Sequence, residues 1–204
     1  MKRLSLALAP FVVVLLLAAS SAIAADPPAA GEKAPAFSLS SQEGAAVTLD
    51  QNKGKWVVLY FYPKDFTSGC TVEAHNFQRD LAKYEKANAV ILGVSVDSVD
   101  SHKGFCAKEG LSFKLLADTD AVVTKAYGSL STYGDKTYAA RNTFLIDPAG
   151  FIRRVYVKVS PATHGDDVLA DLAAFQRLDA IESPSRPPEP STRRRASSSG
   201  LSSS

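Results

Sequence analysis

The chain has 204 residues, with 23 Lys and Arg against 21 Asp and Glu, and a formal net charge of +2. Residues 26–181 alone hold 17 Lys and Arg against 19 Asp and Glu, so this part is near neutral and offers no basic face for a nucleic acid. Two cysteines and three histidines, with no clustered carboxylate, make a poor zinc or copper set.

In chain order, Met1-Lys2-Arg3 is a short basic start, Leu4 to Ala19 is almost wholly apolar, and Ala22-Ile23-Ala24 fits a small-x-small cleavage site. Residues 1–24 therefore read as a secretory signal peptide, removed on export. The membrane-anchor alternative suffers from a run short of about 20 residues, interrupted by Pro10. Residues 25–181 read as one domain. Phe37 to Ser40 and Val47 to Leu49 are predicted as short strands about a turn at Gly44. Trp56 to Tyr62 is an apolar run between Gly54-Lys55 and Pro63, which predicts a strand buried on both faces. From Thr71 to Lys86, Val72, Ala74, Phe77, Leu81 and Tyr84 recur at helical spacing. Ala89 to Val96 is a second buried strand. Ser98 to Glu109 predicts a helix with Ser98 as cap and Gly110 as stop. Leu115-Leu116 follows as a short strand, then Ala121 to Tyr127 as a helix ended by Gly128. Thr143 to Asp147 and Ile152 to Val159 read as strands joined by the turn Pro148-Ala149-Gly150. The last helix runs from Thr163 to Leu178, with Thr163 and Asp166 at capping-box spacing. Strands alternating with helices imply an α/β sandwich around a mixed central sheet. Residues 182–204 are rich in Ser, Pro and Arg and read as a disordered tail, its Arg193-Arg194-Arg195 a solvated charge run.

Cys70 lies where the Trp56–Tyr62 strand gives way to the first turn of the next helix. Unsatisfied N–H groups and the positive dipole end at a helix N-terminus favour an anion there. A thiol of pKa near 8.5 is about 3% thiolate at pH 7, and one lowered to about 6 is roughly 90% thiolate. Position alone thus raises the reactive fraction about thirtyfold. Pro63, Thr67 and Cys70 form a Pro-x-x-x-Thr-x-x-Cys pattern.

Tyr60-Phe61-Tyr62-Pro63-Lys64-Asp65 and Gly69-Cys70-Thr71-Val72-Glu73-Ala74 resemble the peroxiredoxins, and within them the Q subfamily, also called the bacterioferritin-comigratory type. The resemblance covers roughly residues 31–178. It includes Gly31-Glu32-Lys33-Ala34-Pro35-Ala36-Phe37 and Arg141-Asn142-Thr143-Phe144-Leu145-Ile146-Asp147-Pro148-Ala149-Gly150. It implies a thioredoxin-like fold, although the redox Cys-x-x-Cys of thioredoxins themselves is missing. It also implies a cofactor-free thiol peroxidase acting on hydrogen peroxide and alkyl hydroperoxides. Cys70 is then the nucleophile that becomes a sulfenic acid. The Thr67 hydroxyl accepts from the peroxide and donates to the sulfur. Pro63 stiffens and shields the loop. The N–H groups of Gly69 and Cys70 face the substrate oxygens. Arg141 matches the family arginine that lowers the thiol pKa and holds the peroxide. Glu73 orients Arg141 through a bidentate pair.

Many members carry a resolving cysteine five residues after the first, where this chain has His75. Another arrangement puts it on the next long helix, which fits Cys106, 36 residues downstream. A Cys70–Cys106 disulfide then forms by local unwinding and is recycled by thioredoxin or another dithiol protein. The resemblance also implies a monomer, since members of this subfamily tend to be monomers. His102, one turn before Cys106, reads as an exposed helix residue, with help in deprotonating Cys106 as the alternative. His164 reads as a loop residue. Two other readings stay open at this level: a thiol–disulfide carrier or redox sensor on the same fold, and a structural disulfide in an exported protein. The signal peptide points to export, with a bacterial periplasm as the expected compartment and no stable membrane insertion after cleavage.

Overall fold

The computed structural model describes residues 26–182; the expected signal peptide and nearly all of the expected tail lie outside the described residues. The element that organises the rest is β3 (Trp56–Phe61), whose six residues are all buried. Its side chains alternate between two cores. Trp56, Val58 and Tyr60 join Cys70, Ala74 and Phe77 on one face, while Val57, Leu59 and Phe61 join Val123, Tyr127 and Ile146 on the other. A strand covered on both faces is what a continuous apolar run encodes.

Around β3 the chain builds a seven-stranded mixed sheet. Two short strands come first, β1 (Ser38–Ser41) and β2 (Ala46–Thr48), antiparallel about Gly44. After β3, helix α1 (Ser68–Lys86) crosses over to β4 (Ala89–Ser95), and α2 (Val99–Glu109) crosses to β5 (Lys114–Ala117). β3, β4 and β5 are parallel neighbours. A short α3 (Val122–Ala126) follows, its start held by Asp118, whose carboxylate accepts from the N–H groups of Val123 and Thr124. Then come β6 (Leu130–Tyr133), β7 (Lys136–Ala139), β8 (Thr143–Ile146), β9 (Ile152–Tyr156) and α4 (His164–Glu182). The strand order is β2-β1-β5-β4-β3-β8-β9, with β8 antiparallel to β3 and β9 to β8. Buried residues of α1, α2 and α4 share the Tyr60 face of this sheet.

The expected α/β class, mixed sheet and thioredoxin-like order are borne out, and most boundaries fall within a residue or two. The Ser98 hydroxyl accepts from the Ser101 N–H at 3.2 Å, and Gly110 ends α2 in the left-handed region. Four features differ, the first being that β9 ends at Tyr156, three residues short of the expected Val159. The sequence reading passed over the β6–β7 hairpin, whose two-residue Gly134-Asp135 turn brings Tyr133 opposite Lys136; its strands are largely exposed and carry little apolar pattern. α1 begins three residues earlier than expected, at Ser68, so Cys70 is inside the helix. α4 runs four residues further, to Glu182, and the Asp166 carboxylate accepts from Arg79 of α1 at 2.6 Å.

Gly93 fits the sheet tightly. A Cβ there would meet Leu115 Cδ2 at 2.6 Å and the Tyr60 phenol at 2.7 Å. Tyr60 uses that space to lie against Tyr62 and Phe77, with ring centroids 5.4 and 4.8 Å away.

Candidate active site

Cys70 is the third residue of α1 and is buried. Thr67 is the N-cap, in extended backbone, and the first closed turn is the Thr71 N–H to Thr67 carbonyl bond at 2.9 Å. The N–H groups of Ser68, Gly69 and Cys70 precede that turn and have no i−4 partner, which makes them an anion-facing set. Thr67 does not close the set with its side chain: its hydroxyl donates to the Lys64 carbonyl at 3.0 Å. This corrects the expected role in one half. The Thr67 proton is spent on the loop instead of on the sulfur, and its lone pairs remain to accept. Pro63 directly follows Tyr62, whose N–H continues the β3–β4 ladder by donating to the Val94 carbonyl.

Arg141 reaches this turn from the short link between β7 and β8. The Phe61 N–H donates to the Asn142 carbonyl at 2.8 Å, and the Val159 N–H donates to the Arg141 carbonyl at 3.1 Å. These bonds hold Arg141 just past the end of β3. Its Nη2 donates to Cys70 Sγ at 3.2 Å and its Nη1 to Glu73 Oε2 at 2.6 Å. Gly69 makes that approach possible, because a Cβ there would stand 2.8 Å from Arg141 Nη2. The bidentate pair expected between Glu73 and Arg141 is not formed. The guanidinium divides its two amino groups between the sulfur and one carboxylate oxygen, leaving buried Glu73 Oε1 without a partner. Burial pushes the Glu73 carboxyl up to about 7, against the opposing pull of Arg141.

Cys106 lies on α2 in the same buried cluster as Cys70, and both thiols are free. Burial pushes the Cys106 thiol up to about 11, with the charges of Asp65 and Glu43 adding to it. The Tyr60 phenol is raised well above its ordinary value, first by burial and then by the charges of Glu73, Cys70, Cys106 and Asp65. One ring is thus within electrostatic reach of both thiols. His75, at the position of the alternative resolving cysteine, pairs with Glu109 of α2 at 3.2 Å. Among the described residues no group of three or more His, Cys, Asp or Glu could hold a metal ion.

The residues between Pro63 and Cys70 dock onto α2, a link the sequence reading missed. His102 is not the exposed residue expected but fully buried, its Nδ1 2.9 Å from Asp65 Oδ2. Tyr62 donates to Asp65 Oδ1 and Ser101 to Asp65 Oδ2, each at 2.7 Å. Burial alone would raise the Asp65 carboxyl, but the His102, Tyr62 and Ser101 contacts outweigh it and hold it below the usual range. Beside it Phe66, with φ of 61°, packs its ring edge-on against Phe105 at 5.2 Å and under Lys108. The helical register could have revealed this inward face, since Phe105 and Cys106 lie three and four residues after His102. His164 is likewise no loop residue. It is buried at the start of α4, 2.7 Å from the Thr143 hydroxyl, and burial pushes its ring down to about 4.

Residues 30–155 match the AhpC/TSA family. The chain is 44% identical over 143 residues to Peroxiredoxin Bcp of Xanthomonas campestris pv. campestris, a stretch covering 68% of this chain and 89% of that protein. A solved structure of the Xanthomonas campestris bacterioferritin comigratory protein, from work on its alkyl peroxide reduction activity, is 42% identical with a TM-score of 0.65, covering 68% of this chain and 91% of that one. Two structures of Xanthomonas campestris Peroxiredoxin Q, each 43% identical with a TM-score of 0.65, cover 68% of this chain and 90% and 91% of theirs. They are single Cys-to-Ser mutants at positions 36 residues apart, the separation of Cys70 and Cys106. With a buried thiol at a helix N-terminus under an arginine, and these relatives, the chain belongs to the AhpC/TSA family, among its Bcp and Q peroxiredoxins, and is a thiol-dependent peroxidase.

Proposed function

We propose that Cys70 is the peroxide nucleophile and Cys106 its resolving partner, with hydrogen peroxide and alkyl hydroperoxides as substrates. The observation that carries this reading is the Arg141 guanidinium 3.2 Å from Cys70 Sγ, at the open end of α1. A fixed cation there stabilises the thiolate and the negative charge that grows on the substrate oxygens. The thiolate attacks one peroxide oxygen, the O–O bond breaks, and the leaving oxygen departs as water or alcohol once protonated. Gly69 and Cys70 N–H groups and Arg141 face the peroxide, the Thr67 hydroxyl accepts a hydrogen bond from the peroxide O–H, Pro63 stiffens the loop, and Glu73 steers Arg141. Cys106 then displaces hydroxide from the Cys70 sulfenic acid to form the disulfide.

The disulfide needs Cα atoms within about 4.4–6.8 Å of each other, which two intact helices do not readily supply, so α1 and α2 unwind locally around the two sulfurs. A thioredoxin-type dithiol restores both thiols by exchange. The same reading takes the chain as exported to a bacterial periplasm, on the strength of the residues 1–24 segment, and as a monomer, on the strength of the resemblance to Q-type members.

Stopped-flow peroxide consumption with a thioredoxin-type reductant tests the assignment. Cys70→Ser abolishes turnover. Cys106→Ser gives one stoichiometric burst followed by overoxidation of Cys70. A Cys70→Ser protein that consumes peroxide at the wild-type rate would sink the reading. Exchange with protein disulfides without fast peroxide reaction would favour the carrier or sensor alternative.

A further inference from the structure

The loop that carries Pro63 and Thr67 is anchored at Asp65. The Asp65 N–H donates to Asp97 Oδ2, just past β4, at 2.9 Å, and the Ser95 hydroxyl holds that oxygen in place at 2.7 Å. The Asp65 carboxylate accepts from Tyr62, just past β3, and from Ser101 of α2, and it contacts His102 Nδ1 at 2.9 Å. Thr67 closes the loop on itself through the Lys64 carbonyl, so whatever fixes Asp65 also fixes Pro63 and Thr67. Phe66 stands in the left-handed region with φ of 61°, a backbone that persists only where its surroundings impose it. Its seat is α2: the ring lies edge-on to Phe105, and a Cβ on Gly104 would stand 3.5 Å from Phe66 Cζ. Ser101, His102, Gly104 and Phe105 form the stretch of α2 that leads into Cys106. Unwinding this stretch to free Cys106 takes the support from the loop, and by linkage the docked loop opposes the unwinding.

We propose that Asp65 is a positioning residue that sets the balance between the two chemical steps. By tying the Cys70 loop to α2 it keeps the site assembled for peroxide and delays the unwinding that delivers Cys106. This rests on the reading of Cys106 as the resolving cysteine. In that step the S–S bond forms as the Cys70 S–O bond breaks, and the Cys106 proton leaves with the hydroxide as water. Asp65 takes no part in this electron flow and acts through how long α2 stays wound. The delay leaves the sulfenic acid open to a second peroxide, so the same clasp sets how readily Cys70 passes on to the sulfinic acid.

The test is Asp65→Ala, which removes the carboxylate contacts to Tyr62, Ser101 and His102 together. Single-turnover mixing with hydrogen peroxide, with the sulfenic acid trapped by dimedone and the disulfide followed by mass spectrometry, reads both steps. The expected result is Cys70 oxidation slowed about tenfold and disulfide formation accelerated about tenfold, with a matching rise in the peroxide dose that overoxidises half of Cys70. Tyr84→Phe loses a buried hydrogen bond to the Gly165 carbonyl, between α1 and α4. It controls for lost stability and should leave the disulfide rate unchanged. Disulfide formation that is unchanged or slower in Asp65→Ala, or that Tyr84→Phe accelerates as much, would overturn the proposal. Failure of the unmodified protein to form the Cys70–Cys106 bond would instead sink the reading beneath it. If Asp65→Ala does not fold, Ser101→Ala decides, because it removes one hydrogen bond to Asp65 and leaves the Ser101 N–H on the Ser98 hydroxyl. A faster disulfide there supports the proposal, and an unchanged or slower one overturns it.

Discussion

Replacing Glu73 by Gln should alter the pH dependence of folding in a calculable way. The carboxyl is 1% exposed and titrates at about 7 in the folded protein, against 4.5 for an ordinary glutamate, because burial outweighs Arg141. A folded-state pKa above the unfolded one means that the folded chain holds the proton more tightly. Stability from this group is therefore fully present below about pH 4.5 and is lost as the pH rises through about 7. At about 1.36 kcal/mol per unit, the loss is roughly 3 kcal/mol. Urea unfolding under reducing conditions at pH 4.5, 6 and 8, on wild type and Glu73→Gln, reads it directly. The difference between the two proteins should move by about 3 kcal/mol in favour of the variant between the acid and alkaline ends. A difference that stays flat across this range, or moves the other way, would refute the claim that the Glu73 charge is held at a cost beside Arg141.

Other substitutions separate packing from chemistry. Gly69→Ala should raise helix stability by up to about 1 kcal/mol, while its methyl, 2.8 Å from Arg141 Nη2, displaces the guanidinium. A peroxide rate constant that falls at least tenfold in stopped flow is the expected signature. Gly93→Ala should destabilise by about 1–3 kcal/mol in urea, since its methyl overlaps Leu115 and the Tyr60 phenol. Arg141→Met should slow Cys70 oxidation by about 10²–10³, as expected for loss of one charge-stabilising donor, measured as the second-order rate constant with hydrogen peroxide.

Much of this molecule is written locally. The apolar run of β3, the Ser98 cap and Gly110 stop of α2, and the turn at Pro148-Ala149-Gly150 are short-range signals, and each element forms where expected. Cys70 was legible because a strand end, a loop and a helix start are contiguous in the chain. Arg141 was legible only through resemblance, since it lies 71 residues from Cys70 and meets it through the β3–β8 pairing. The Asp65–His102 contact spans 37 residues and joins a loop to a helix face that the spacing of His102, Phe105 and Cys106 marks as inward, but nothing local names Asp65 as the partner. The Thr67 hydroxyl shows the limit of residue-type reasoning: its chemistry was foreseen, but its proton goes to a backbone carbonyl three residues away.

The most direct measurement is to add one equivalent of hydrogen peroxide to the fully reduced, full-length protein and map its sulfurs by peptide mass spectrometry. The account predicts one intrachain bond between Cys70 and Cys106, formed through a Cys70 sulfenic acid that accumulates when Cys106 is Ser. Oxidation beginning at Cys106, or peroxide left unconsumed while Cys70 stays a thiol, would contradict it.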